Sequence, residues 1–185
     1  ASKIEVMVTH PVQPHLEESA CGHRVGCVSF LNALPLIRGL ETSDCTVVRS
    51  VPSGLLDMLE AGDVDIALCP VADLMLSDQP LRVVPVGGIG CDGPTLTVRL
   101  FSKVPFDRVT TLHADTDSHT SVRLARVLLT ESYGITPEVE PLSAEHYNPG
   151  RADAETLLLI GDKVITAAPD RATYPHQLDA GEAWK

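Results

Sequence analysis

The sequence predicts an α/β fold of two lobes with mostly parallel sheets. Two observations carry this. Short β-branched runs alternate with stretches of helical apolar spacing along the whole chain. A glycine cluster, Gly87, Gly88, Gly90 and Gly93, interrupts that alternation at mid-chain and suits a crossover between lobes. The 185 residues are 44% hydrophobic and 21% charged, the balance of a globular chain that forms its core without staples.

The elements follow in order. "KIEVMVTH" near the start reads as an added edge strand or a frayed extension. "RVGCVSFL" reads as a strand, with a short helix from about Leu34 that Pro35 suits as a first-turn residue. "CTVVRSV" (45–51) is a strand. Leu55, Leu56 and Leu59 then share a helical face, and Gly62 stops that helix. "DVDIALCPV" (63–71) is a strand followed by a short helix, "VADLML"; "LRVVPVGGI" (81–89) is a strand weakened by Pro85. Beyond the glycines, "TLTVRLFS" alternates like a strand with one solvated face. "VTTLHA" (109–114) is a strand. "SHTSVRLARVLLTESYG" is the clearest helix, with Val122, Leu124, Ala125, Leu128 and Leu129 at helical spacing and Gly134 as its stop. Residues 137–142 and the run ending at Ile160 are strands. "TYPHQLDAGEAWK" reads as loop and the opening of a new element.

Charge and composition exclude several function classes. A net charge of −11 disfavours nucleic acid and anionic membrane as partners. Aromatics at 4% leave little for base stacking. No run is long and apolar enough to span a bilayer, and the N-terminus lacks the apolar core of a secretory signal. The five cysteines show no C-x-x-C spacing, and Cys27, Cys45 and Cys69 adjoin apolar runs, so reduced thiols in a cytoplasmic protein are expected. The seven histidines are dispersed, so a metal site is not expected.

Candidate site residues sit at strand ends, where α/β folds place function. Asn32, an uncharged amide in "FLNALPL", either caps a helix or points into a cleft; Ser29 precedes it at the same strand end. "GCDGPTLT" brings Gly93, Thr95 and Thr97 to a loop whose backbone can approach a ligand. "DSHTS" places Ser118, Thr120 and Ser121 at the start of the long helix, where outward N–H groups favour an anion; the alternative is plain capping. Asp162 in "IGDK" is a turn residue or an acid. Residue chemistry alone yields a two-lobed α/β protein that binds a small anion.

Five stretches, "VGCVSFLNALPLIRGL", "GDVDIALCPVADL", "GCDGPTLTVRLFSKVPFDRV", "DSHTSVRLARVLL" and "LLLIGDKVI", occur in this order and together resemble the chorismate dehydratases of the futalosine route to menaquinone. The resemblance runs from about Arg24 to Lys185. It implies a periplasmic-binding-protein-like (type II) fold used as a hydro-lyase, which removes water from chorismate to give 3-[(1-carboxyvinyl)oxy]benzoate without a cofactor. By motif position Asn32 and Thr97 take catalytic roles, Thr97 standing where relatives commonly carry serine. Ser29, Gly93, Thr95, Ser118, Thr120, Ser121 and Asp162 take substrate-binding roles, with His119 in place of an expected arginine. The implied organisation is an extension (1–23), a partial first lobe (24–90), a second lobe (91–175) and the start of a return to lobe one (176–185). Family chains continue into a strand that completes lobe one, so an incomplete first lobe with an open apolar edge is expected here. A non-catalytic anion-binding protein of the same fold and the sister 1,4-dihydroxy-6-naphthoate synthase are the alternatives.

Overall fold

The structure, a computed structural model, describes residues 5–9, 22–40, 44–142 and 154–185. Residues 1–4 and 10–21 of the N-terminal extension, with Cys21 and the histidines at 10 and 15, lie outside them, as does the histidine at 146. The chain forms two compact units, Ile4–Gly90 and Cys91–Lys185.

The first unit contains β1 (Glu5–Thr9), β2 (Arg24–Val28), α1 (Leu34–Ile37), β3 (Thr46–Ser50), α2 (Leu55–Glu60), β4 (Ile66–Pro70) and β5 (Arg82–Ile89). Its sheet has the order β3-β2-β4-β1-β5. β2 pairs in parallel with β3 and β4, while β1 runs antiparallel to both β4 and β5. The β1 strand is therefore interior, not the edge strand or frayed extension that its local sequence suggested. Its backbone completes the ladders of both neighbours. Pro85 is tolerated because it falls where the β1–β5 ladder is interrupted, between the paired Val84 and Gly88, on an edge strand. Leu55, Leu56 and Leu59 of α2 are buried and join Cys27, Val28, Ala67, Leu68 and Cys69 in one core. Gly62, at φ +75°, supplies the left-handed turn that releases the chain after that helix.

The second unit contains β6 (Val98–Ser102), β7 (Thr111–Asp115), α3 (His119–Tyr133), β8 (Glu138–Leu142), β9 (Thr156–Ile160), α4 (Lys163–Thr166), β10 (His176–Asp179) and α5 (Ala180–Ala183). Its sheet order is β10-β6-β9-β7-β8. β7 pairs in parallel with β8 and β9, and β6 is antiparallel to β9 and β10. In each sheet, then, four strands point one way and one is reversed, which is the mostly parallel α/β architecture that the alternation predicted. Three further readings change. β6 is buried at four of five positions, not solvated on one face, because it is an inner strand. The "VADLML" helix is one 3-10 turn, Asp73–Met75. Residues 176–185 do not leave for the first unit: His176–Asp179 pairs with Arg99–Ser102 inside the second sheet.

Both faces of β9 are covered: all five of its residues are buried. Phe101, Leu157, Leu159, Val164 and Tyr174 pack together, and Tyr174 anchors its hydroxyl on the Ala154 carbonyl at 2.8 Å. Ala125, Leu128 and Leu129 are the buried face of α3. Cys27 and Cys69 are buried free thiols, and Cys45 and Cys91 are partly exposed free thiols. Among the described residues no helix is long and apolar enough to cross a membrane, and no three His, Cys, Asp or Glu residues gather as a metal site.

Candidate functional site

The ladder registers fix which loops meet. Val98 at the start of β6 faces Ile160 at the end of β9, and Arg99 faces Asp179 at the end of β10. Because β7 is parallel to β9, its end lies on the same side. One end of the second sheet therefore collects the loop entering β6, the start of α3, the Gly161–Asp162 turn and Asp179. Gly93, Thr95, Thr97, Ser118, Thr120, Ser121 and Asp162 all belong to this end. Ser29 and Asn32 belong to the first unit.

At the start of α3, Ser118 is fully buried and in extended conformation. Its hydroxyl accepts from the Ser121 amide (3.4 Å) and the Ser121 hydroxyl (3.0 Å). The cap thus spends both serines on each other. Thr120 is different: its Oγ1 is buried and has no hydrogen-bond partner among the described residues. A buried hydroxyl without a partner is costly, so the position suits a ligand acceptor or donor. α3 has 15 residues, long enough to direct a positive dipole end at an anion.

Beside this helix start, Lys163 Nζ bridges Asp115 Oδ2 (2.5 Å) and Asp117 Oδ2 (2.7 Å). Burial of Asp115 pushes its carboxyl above the ordinary range despite the attraction of Lys163. Burial pulls the Lys163 ammonium down, and the hydrogen bonds to Asp115 and Asp117 more than restore it, leaving it above the usual lysine value. The lysine offsets one of the two carboxylate charges beside the helix start. Sequence reading quoted "IGDK" but passed over Lys163; the acidic pair in "HADTDS" was the available signal. Asp162, partly exposed at the cap of α4, makes no side-chain cap bond.

The loop entering β6 is held by Asp179. Its Oδ1 accepts from the Thr95 amide (2.8 Å) and the Gly181 amide (2.9 Å), and its Oδ2 from the Leu96 amide (2.8 Å). The Thr95 hydroxyl lies within 3.1 Å of Oδ1. Burial raises this carboxyl, but the amides of Thr95, Leu96, Glu182 and Gly181 outweigh it and leave it below the ordinary carboxylate range. Thr95, with amide and hydroxyl both committed, positions the loop. Gly93 is buried at φ +115°. The Thr97 carbonyl accepts from the Gly161 amide at 2.8 Å, fastening the loop to the turn after β9. Asp179 was missed in the sequence because its partners in the loop entering β6 are distant, Thr95 84 residues away and Leu96 83.

In the first unit, Ser29 follows β2 and donates its hydroxyl to the Ser50 carbonyl at the end of β3 (3.1 Å). Asn32 is exposed within the 3-10 turn Leu31–Ala33. The caps of that turn and of α1 are Phe30 and Ala33, neither with a side-chain cap bond. Of the two readings open for Asn32, the capping one finds no hydrogen bond here.

A family model described as menaquinone biosynthesis matches residues 23–185, nearly the whole chain. The chain belongs to the menaquinone biosynthesis family. Within reach of this family, the chain is 28% identical over 158 residues to the chorismate dehydratase of Thermus thermophilus, covering 83% of this chain and 57% of that protein. The chain thus spans a little over half the length of this relative. Among solved structures, it is similar to a domain described as the second substrate binding domain of an amino acid ABC transporter from Streptococcus pneumoniae. That likeness has 14% identity and a TM-score of 0.34, over 49% of this chain and 43% of that one. Menaquinone biosynthesis family members are thereby the frame for the site: all nine residues that the sequence singled out fall inside the matched region.

Proposed function

We propose that this chain carries the chemistry of a chorismate dehydratase, eliminating water from chorismate to give 3-[(1-carboxyvinyl)oxy]benzoate. The observation that carries the reading is the family match over 23–185 together with the similarity to the Thermus enzyme.

The site's chemistry supports it. Chorismate has two carboxylates, and an acidic protein binds them through local donors. The start of α3 supplies such donors, with the Thr120 hydroxyl free to join the first-turn amides. Elimination removes the proton from ring C3 and expels the C4 hydroxyl. C3 is conjugated through the C1–C2 double bond to the ring carboxylate, so negative charge develops there as the proton leaves. Donors fixed at that carboxylate stabilise the transition state more than the ground state. Departure of hydroxide as water then makes the ring aromatic, which drives the second half. In this reading the enolpyruvyl carboxylate of the substrate takes the C3 proton when held near it. By motif position Asn32 orients the leaving hydroxyl, and Thr97 adds a hydroxyl. Ser29 in the first unit and Gly93, Thr95, Ser118, Ser121 and Asp162 in the second take substrate-binding roles.

The test is direct. The purified chain is incubated with chorismate, and the mixture is assayed by mass spectrometry for the aromatic product lighter by one water. Formation of that product in proportion to enzyme supports the reading. Saturable binding of chorismate without turnover overturns it in favour of a non-catalytic anion-binding protein.

A further inference from the structure

Every described residue with a left-handed backbone is glycine, at positions 39, 62, 93, 134 and 161, with one exception: Leu96, at φ +60°. A leucine is disfavoured there because its Cβ crowds the following carbonyl, a cost glycine avoids. The conformation is enforced from outside. Asp179 takes the amides of Thr95 and Leu96 on its two oxygens, at 2.8 Å each. Behind it the turn is closed to adjustment: a Cβ on Gly181 would stand 2.1 Å from the Gly93 carbonyl oxygen. The strained leucine gains nothing from the core in return, since it is 65% exposed. It sits one residue before Thr97, whose carbonyl is tied to Gly161 beside Asp162. Strain that a glycine would relieve, at an exposed apolar side chain in the loop entering β6, calls for a use of that side chain.

We propose that Leu96 is a specificity-determining residue that lays its isobutyl group against the apolar face of the substrate's six-membered ring, with Asp179 as the positioning residue that holds it there. This rests on the chorismate reading above. It assigns the discrimination of cyclic from acyclic dicarboxylates to one side chain, while the helix start and Thr120 recognise the carboxylate common to both.

The experiment compares the full 185-residue chain with Leu96→Gly, using calorimetric titration with chorismate and with succinate, and thermal unfolding of each. Glycine accepts φ +60°, so the variant is expected to melt at the same temperature or higher. Chorismate affinity is expected to fall about tenfold or more, the scale of one buried leucine side chain, while the weaker succinate affinity stays unchanged. Equal chorismate affinity in variant and wild type overturns the proposal and leaves the dehydratase reading standing. Equal losses for both ligands also overturn it, because they show a disturbed loop and not a lost ring contact. Failure of the wild type itself to bind chorismate overturns the functional reading and this inference with it.

Discussion

Asn32 and Thr120 are the residues at which catalytic and structural use can be told apart by experiment. Asn32 is exposed and caps neither the 3-10 turn that contains it nor α1 after it. Asn32→Ala is therefore expected to leave the melting temperature within a degree or so, roughly the scale of a few tenths of a kcal/mol. Turnover of chorismate is expected to fall by about 10²–10³, the effect of losing one oriented donor at a developing charge. A variant that melts early but keeps its rate would make Asn32 a structural residue after all. Thr120→Val removes a buried hydroxyl that has no partner among the described residues. Taking away an unpaired polar group is neutral or stabilising, so this variant should be at least as stable as wild type. Its KM for chorismate should rise about tenfold, for one lost hydrogen bond to a charged group; an unchanged KM would show that the hydroxyl faces no ligand. The sequence exposed both residues as candidates, because strand ends and helix starts are local patterns. It left the choice between cap and ligand open, since that depends on which acceptors are already taken.

Among the elements, α3 was readable at both ends: Ser118 caps its start and Gly134, at φ +69°, closes it. Both signals lie within a few residues of the helix they bound. β10 was not readable. It is four residues long, with Leu178 its one apolar side chain, and its pairing partner β6 lies far back in the chain. The Asp179 clamp grows out of that hidden strand, and its energetics are testable through pH. The folded-state pKa of Asp179 lies below its unfolded value of about 3.9. A depressed carboxyl contributes stability that is fully present above the unfolded value and is lost as pH falls through the folded one. Asp115, raised by burial, acts in the opposite sense, so the comparison has to isolate Asp179. Asp179→Asn supplies that comparison. From pH 8 down to about 5 the variant should be less stable by a constant amount, about 1.5–3 kcal/mol for hydrogen bonds to a charged group. Below about pH 4 the gap should close. Denaturant titrations across that range measure it, and a gap that stays constant into acid would show that Asp179 is not clamped as an anion.

At the scale of the whole molecule the two sheets share one plan. Numbering each unit's strands from its own start, both read 3-2-4-1-5, with the first strand reversed against both of its neighbours. No repeat shows in the sequence, because the plan is set by which strands pair and not by residue identity. The class was still legible, since alternation of strands and helices is a local signal. The identity of the reversed strand was not. β6 takes that place in the second unit directly after the crossover glycines, whereas in the first unit it is β1, separated from β2 by residues 10–23. The ladder of β1 with β5 also slips register between Val6 and Met7, while no such slip interrupts the ladder of β6 with β10. Among the described residues a strand in this position is the one bridge between β5 and the remainder of its sheet, since β5 pairs there with no other strand. Removing residues 1–21 should therefore free the backbone amides of β5 and of the β1-facing side of β4, which have no alternative partner among the described residues. In amide hydrogen exchange, Arg82–Ile89 should lose protection almost completely and β4 in part. β2 and β3, still paired in parallel, should retain most of theirs, and the second unit's β6, β7 and β9 should exchange as in the intact chain. Unchanged protection across Arg82–Ile89 in the shortened chain would mean that β5 is held by something other than β1, and the interior place assigned to that strand would be wrong.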